Sequence, residues 1–175
     1  MGDTERRTAA AMPDNHQALA VLIGLPLRSL GRAGHMLWLH FGEWREVPDR
    51  RKGGTRTVGE WALHVQCEWS ISKTGSPVIS SADFSMNPNG DDLGDDRDTF
   101  GASLFDQAAA GLRAEFETKP PRVTSISCGD GDGFSVSFDD GSQLEVLPGE
   151  SRNTEAWRLL QPGTDLEHFV VPRES

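Results

Sequence analysis

The clearest pattern in the chain is a strict alternation of apolar and polar residues from Glu60 to Ser72. One side of the alternation holds Trp61, Leu63, Val65, Cys67, Trp69 and Ile71, and the other holds Ala62, His64, Gln66, Glu68 and Ser70. Because successive side chains of a strand point to opposite faces, the pattern predicts one half-buried β-strand. A turn at residues 73–76 and the segment Val78 to Phe84 predict its hairpin partner.

Shorter patterns predict further strands. Met36 to Phe41 is apolar on both faces, which is typical of a central strand. The charged, glycine-containing segment Pro48 to Gly54 predicts a loop. Short apolar alternations joined by Gly/Asp turns predict an antiparallel C-terminal meander. Its strands are expected at Val123–Cys128, Phe134–Phe138 and Leu144–Leu147, and Ala156–Leu160 and His168–Val171 could extend it.

A helical stripe separates these two strand groups. Leu104, Ala108, Leu112 and Phe116 recur at intervals of four, and Ser103 is a suitable N-cap. Near the N-terminus, Asp14 or Asn15 is expected to cap a short helix that begins at about His16.

The fold expected from these elements is α+β. It has an antiparallel sheet of about seven strands and one main helix, at about 103–117, packed on the sheet. Residues 1–15 are polar and charged, and we expect them to form a disordered arm that precedes a single domain over residues 16–172.

The charge balance bears on partners. The chain has 27 acidic and 17 basic residues and a formal net charge of -10. Such a surface repels phosphate backbones and anionic membranes, so we expect neither nucleic acid nor membrane as a partner. It accelerates encounter with a basic protein. The charge is also unevenly spread, with a basic excess over Arg28 to Thr57 and an acidic excess over Asp83 to Glu117.

The low number of cysteines and the lack of a recognisable targeting signal predict a cytoplasmic protein. Cys67 and Cys128 are too few for a disulfide framework, so we expect buried free thiols. The N-terminal residues lack the apolar core of a secretory signal. The longest apolar run, Ala18 to Leu27, is interrupted by Gly24 and Pro26 and is too short to span a bilayer.

Two histidines are the main candidates for chemistry. If the strands that carry His40 and His64 pair, the imidazoles could face each other, with Glu68 on the His64 face, as the raw material of a metal or acid–base site. Their spacing matches no zinc signature, and hydrogen-bonded strand histidines are the alternative. Cys67 cannot meet His64 within one strand, because residues three apart point to opposite faces.

Other motifs assign no cofactor. The acidic loop Asp91 to Asp98 and the turn with Asp130 and Asp132 do not follow the EF-hand register, and Gly129 to Gly133 lacks the lysine of a phosphate loop. Trp44 is expected just past a strand end, either as a partner anchor or as a lid over the core. The candidate binding residues are therefore Trp44, Arg45, His64 and Glu68, and no residue is assigned as catalytic or as a metal ligand.

The segment Gly59 to Trp69 also carries a resemblance. Together with Gly31–Ala33, Asp139–Ser142, Trp157–Leu159 and His168–Val171, it resembles a group of uncharacterised bacterial proteins, mostly from GC-rich genomes. The likeness covers about residues 22–171, and members carry a proline where this chain has Glu68. It implies one intact domain and no particular activity.

Three functions remain open from the sequence. The first is a non-enzymatic interaction module, in the form of an acidic immunity- or adaptor-like protein that binds a basic protein. The second is a small metal-dependent or acid–base enzyme that uses His40, His64 and Glu68. The third is a structural subunit of a homo-oligomer.

Overall fold

The computed structural model describes residues 14–150 and 153–172, and strands dominate these ranges. The strands are β1 (Leu27–Ala33), β2 (Met36–Pro48), β3 (Thr55–Val65), β4 (Glu68–Lys73), β5 (Ser76–Ser80), β6 (Val123–Cys128), β7 (Phe134–Phe138), β8 (Ser142–Leu147), β9 (Trp157–Leu160) and β10 (Phe169–Val171). The α-helices are α1 (Asn15–Leu19) and α2 (Leu104–Thr118). Short 3-10 helices cover Ala20–Leu22, Ser81–Ser85 and Gly94–Asp98.

The strands form two antiparallel sheets of five strands each. The first sheet has the order β1-β2-β3-β9-β10, and the second has the order β5-β4-β8-β7-β6. Buried residues of both sheets and of α2 belong to one hydrophobic cluster. The mixed α+β class is as predicted, but the expectation of a single sheet of about seven strands is wrong. The strands β9 and β10 join the first sheet and do not extend the C-terminal meander.

The chain changes sheets in the middle of the predicted long strand. Strand β3 ends at Val65 and β4 begins at Glu68, and the amides of Gln66 and Cys67 both donate to the Ala156 carbonyl, over 2.7 and 3.2 Å. The alternation continues across this break because both strands direct their large apolar residues into the shared core. The apolar and polar residues therefore keep alternating across the break, although the β3 and β4 strands are hydrogen-bonded in different sheets.

An aromatic cluster surrounds Trp69, which is 1% exposed. Its ring meets those of Phe84 and Phe105 edge to face, at centroid distances of 5.5 and 5.8 Å. Among the described residues its Nε1 is the buried side-chain polar atom that lacks a hydrogen-bond partner. The indole therefore stabilises the fold through apolar packing and ring geometry.

Helix α2 begins at the predicted place. The Ser103 hydroxyl accepts from the Asp106 amide over 3.0 Å, and the Asp106 carboxylate accepts from the Ser103 amide over 3.3 Å, which completes a capping box. Phe105, Ala109 and Phe116 are buried from the helix side. The helix lies against β1, where Arg113 donates to the Leu30 carbonyl over 3.0 Å.

A buried ion pair connects α2 to β1. Nε and Nη2 of Arg32 donate to the two Asp106 oxygens over 2.7 and 2.9 Å, and the two side chains are 4% and 5% exposed. The Gly101 amide donates to the same carboxylate over 2.9 Å. The hydrogen bonds from Arg32 are the main cause that lowers the pKa of Asp106 to about 2.

The structure describes only part of the N-terminal segment for which a disordered arm and a helix cap were predicted. Residues 1–13 of the expected disordered arm lie outside the described residues. Asp14 caps α1 in a capping box with Gln17, and Asn15 is the first helical residue, so both belong to the folded part. Within the described ranges, no helix is long and apolar enough to cross a membrane.

Candidate functional site

The outer face of the first sheet carries a row of aligned side chains. Its core-facing residues, such as Leu39, Leu63 and Leu159, are buried, and their chain neighbours point to the opposite face. Direct cross-strand partners across the five strands form one row on that face, which is Gly31, Trp38, His64, Arg158 and Val170. The neighbouring row begins with Ser29 and His40 and continues to Ala62 and Leu160.

Two glycines make room for the aromatic residues of these rows. A Cβ atom on Gly31 would lie 2.3 Å from the Trp38 ring, so the indole packs directly on the β1 backbone. A Cβ atom on Gly59 would lie 2.9 Å from Cβ of His40. Glycine at both positions permits a close approach that no other residue allows without a shift.

The aromatic residues continue along β2 to Trp44. The Trp38 and His40 rings meet edge to face with centroids 5.2 Å apart, and the His40 and Trp44 rings are tilted with centroids 6.3 Å apart. The pairing of β2 with β3 shifts between Phe41 and Trp44, where Gly42 has φ +84°. Trp44 therefore lies inside β2, after a bulge, and the expectation that it follows the strand end is wrong. It is 47% exposed.

These side chains line a depression that we call the imidazole cleft. It has a volume of about 390 Å³ and is open to solvent. Its lining residues are Ser29, Trp38, His40, Trp44, Arg56, Thr57, Val58 and His64. Two indole rings and two imidazoles are among these residues, and Arg56 supplies a cation.

Both imidazoles of the cleft are held neutral at neutral pH. Burial is the main cause that lowers the pKa of His40 to about 4, and the neighbouring His64 and Arg56 contribute to the same shift. Burial is also the main cause that lowers the pKa of His64, and Arg158 adds to it. The Gly59 amide donates to Nδ1 of His40 over 2.7 Å, so neutral His40 carries its proton on Nε2. His40 therefore presents a hydrogen-bond donor to the cleft and no free lone pair.

An ion pair borders the cleft on the side of His64. Arg158, which lies directly opposite His64, makes a two-point contact with Glu155 and places Nη1 3.1 Å from Nδ1 of His168. The hydrogen bonds from Arg158 are the main cause that lowers the pKa of Glu155. Glu155 is thus the carboxylate beside His64, the position that the sequence interpretation gave to Glu68.

The structure brings together only some of the predicted binding residues. Trp44 and His64 both line the cleft. Arg45 follows Trp44 and pairs with Val58, so it lies beside the cleft. Glu68 is exposed at the start of β4 and pairs with Leu147 in the second sheet. It does not join the imidazoles, because the chain changes sheets between His64 and Glu68.

Sequence reasoning missed several cleft residues. Trp38 was detectable, because it alternates with His40 in the same strand. Arg56 and Arg158 could not be found from the sequence, because only the register of β3 with β2 and β9 brings them to the cleft.

The described residues provide few groups for nucleophilic or metal chemistry. Burial raises the pKa of Cys67 to about 11, so its thiol is protonated at neutral pH. Within residues 14–150 and 153–172, no three His, Cys, Asp or Glu side chains are grouped to hold a metal ion. The lining of the cleft itself supplies a hydrogen-bond donor on His40, a guanidinium and aromatic rings.

Comparisons with protein-family models, with curated proteins and with solved structures find no match to this chain.

Proposed function

We propose that this protein is a non-enzymatic interaction module of the cytoplasm, immunity- or adaptor-like in type, and that it binds a basic protein through the imidazole cleft. The observation that supports this most is Trp44, a tryptophan with 47% exposure that contacts His40 at the edge of a preformed depression. Tryptophan and arginine are enriched among the residues that dominate binding energy at protein interfaces.

The donors of the cleft indicate what part of a partner fits it. Nε2 of His40 and the guanidinium of Arg56 carry N–H groups that can donate hydrogen bonds to a bound partner. We expect them to receive backbone carbonyls or the oxygen atoms of Asn and Asp from a partner loop. The net charge of -10 acts at longer range and favours a partner that is basic as a whole.

Two of the three residues of the acid–base alternative are not placed to act with His64, which is neutral and keeps a ring lone pair. A general base needs an accessible lone pair, and Nδ1 of His40 already accepts the Gly59 amide. Glu68, the third residue of that hypothesis, lies in the other sheet. These two facts make recognition the better-supported function for the cleft.

The proposal is tested by capture with matched variants. The full tagged chain, its Trp44→Ala variant and a Leu166→Ala control are incubated with lysate of the source organism at low salt. Leu166 is 59% exposed and is not part of the cleft. We expect the wild type and the Leu166 variant to retain one basic protein, the Trp44 variant to lose it, and added salt to weaken the capture.

Calorimetry with the purified chain and its purified partner then measures how much binding free energy Trp44 contributes. Loss of an interface tryptophan should weaken binding by at least about 2 kcal/mol, or roughly 30-fold in Kd by calorimetry. Equal affinity of the wild type and Trp44→Ala would overturn the proposal. A homodimer that light scattering detects and that Trp44→Ala dissociates would assign the cleft to self-association instead.

A further inference from the structure

The hairpin of β2 and β3 extends past the other strands of the first sheet. Strand β1 pairs with β2 only as far as Phe41, and β9 pairs with β3 only from Ala62 to Val65. Strands β2 and β3 remain paired with each other as far as Pro48 and Thr55. Within the described residues, the outer part of this hairpin therefore has no third strand beside it.

The loop at the end of the hairpin is ordered and basic. The Asp49 amide donates to the Gly54 carbonyl and the Gly53 amide donates to the Asp49 carbonyl, both over 2.9 Å. The Asp49 carboxylate accepts from the amides of Arg51 and Lys52, over 2.9 and 3.2 Å. These bonds fix the loop so that its basic side chains point into solvent. The exposed cations, which we call the basic tip, are Arg50, Arg51 and Lys52.

The hairpin itself offers little negative charge to the basic tip. No ion pair among the described residues includes a residue of the tip. Asp49 carries one negative charge against three positive charges in the same loop. The Glu46 carboxylate accepts instead from the hydroxyls of Thr55 and Thr57, over 2.6 and 3.0 Å. The tip is therefore a cationic surface on a chain whose net charge is -10.

The strongest negative charge lies at the opposite end of β2. Arg32 pairs with Leu37 at the start of that strand, and its Nη2 donates to the Thr99 carbonyl over 3.3 Å. Thr99 directly follows residues 91–98, which we call the acidic segment. It contains Arg97 and five aspartates, namely Asp91, Asp92, Asp95, Asp96 and Asp98.

The two charged regions are too far apart to neutralise each other within one molecule. The part of β2 from Leu37 to Pro48 spans roughly 35 Å, at about 3.3 Å per residue. Exposed charges are largely screened beyond about 8 Å at physiological ionic strength. The uneven charge of the sequence therefore gives the folded chain one basic end and one acidic end.

We propose that the basic tip binds the acidic segment of a second copy of this chain, in a two-fold symmetric dimer. Because a two-fold axis exchanges the copies, an arrangement that forms one such contact forms the same contact twice. Phe100 directly follows the acidic segment and is 81% exposed. Its ring adds apolar area to a contact that otherwise joins charges.

The dimer is expected to be weak and sensitive to salt. Exposed ion pairs each contribute little, and two chains of charge -10 repel each other at long range. Salt of about 50 mM reduces that repulsion, whereas contacts at ion-pair distance persist. Sedimentation equilibrium on the full chain should therefore detect dimer at about 50 mM salt, and about 500 mM salt should weaken it at least about ten-fold.

A charge swap between two variants gives the decisive test. The first variant combines Arg50→Glu with Arg51→Glu, and the second combines Asp95→Arg with Asp96→Arg. All four positions are exposed, and circular dichroism checks that both proteins are folded. Each variant alone should be monomeric, because its tip and its acidic segment then have the same sign. Their equimolar mixture should form a heterodimer, since both contacts again join opposite charges.

The control variant is Lys119→Glu, which reverses an exposed charge outside both regions and should dimerise like the wild type. A wild type that stays monomeric at about 50 mM salt, or a mixture of the two variants that does not associate, would overturn the proposal. So would a monomeric chain whose tip binds a duplex DNA oligonucleotide, since the tip would then recognise phosphates.

Trp44→Ala separates this contact from the imidazole cleft. Neither the basic tip nor the acidic segment lines the cleft, so the variant should keep the dimer while it loses the partner proposed for the cleft. Dissociation of the dimer by Trp44→Ala would instead place the contact between copies at the cleft and overturn its assignment to the tip.

Discussion

The buried pair of Arg32 and Asp106 offers the sharpest test of how the helix is fixed to the first sheet. Asp106→Asn preserves the size of the side chain but removes its charge and one of its two acceptor oxygens. The Arg32 side chain, 4% exposed, then faces an amide whose nitrogen can only donate. The amides of Gly101 and Ser103 lose part of their acceptor as well.

The expected cost follows from that burial. Removal of one partner of a buried ion pair costs about 3–5 kcal/mol, because the remaining charge is desolvated and unpaired. The depression of the Asp106 pKa from 3.8 to about 2 independently corresponds to roughly 2 kcal/mol. That value is the smaller because a protonated Asp106 still accepts hydrogen bonds. We therefore expect a loss of about 3 kcal/mol at pH 7.

The same pair predicts the direction of the pH dependence. The pKa of Asp106 is lower in the folded state than in the unfolded state, so its contribution is complete above about pH 4. It disappears as the pH falls from about 4 to about 2. Asp106→Asn should lack this component of acid sensitivity.

Urea unfolding followed by tryptophan fluorescence measures these changes, and an unchanged m-value shows that the transition is comparable. Glu117→Gln is the control and should shift the free energy of unfolding by less than about 0.5 kcal/mol. The double variant Arg32→Met, Asp106→Asn should be more stable than Asp106→Asn alone, because the unpaired charge is gone. A loss below about 1 kcal/mol for Asp106→Asn would refute the reasoning.

Further predictions concern the core, the cleft and two glycines. Trp69→Ala should cost about 3–5 kcal/mol in the same unfolding assay, whereas exposed Trp44→Ala should cost less than about 0.5 kcal/mol. The pKa of His40 is lowered from 6.5 to about 4, so the stability that neutral His40 contributes, about 3 kcal/mol, is complete above pH 6.5 and is lost as the pH falls towards 4. His40→Asn, which retains an acceptor for the backbone, should flatten that profile when unfolding is compared at pH 7 and pH 5. Gly31→Ala should destabilise the chain by about 1–3 kcal/mol, because its Cβ meets the neighbouring indole. Gly111→Ala, in open space on α2, should stabilise it by about 0.5–1 kcal/mol in thermal unfolding.

Local signals in the sequence predicted the elements better than their assembly. The helix stripe and the cap at Ser103 identified α2 to within one residue at its C-terminal end, because capping and amphipathic spacing act over a few residues. The turn residues between β7 and β8 were equally informative. Interactions of this range are encoded by adjacent residues.

The division into two sheets could not be predicted in the same way. Alternation reports only which side chains face the core, and in two sheets that share a core a chain keeps its alternation when it passes from one to the other. The break at Gln66 and Cys67 is therefore invisible to the pattern, and Glu68 was assigned to the wrong neighbours. Glu155 and Arg158 reach His64 only through the register of β9 with β3, a contact between distant parts of the chain.

The order of strands in the first sheet has a consequence for synthesis of the chain. Strand β3 can pair with β2 as soon as both have left the ribosome, but its other edge waits for β9, about ninety residues later. At roughly 5–20 residues per second this interval lasts roughly 5–20 s. During that time the unpaired backbone groups from Ala62 to Val65 are a template for any extended segment nearby. A nascent chain whose synthesis stops before Trp157 would thus expose the unpaired edge of β3. If this shortened chain is released from the ribosome, we expect it to aggregate rather than fold.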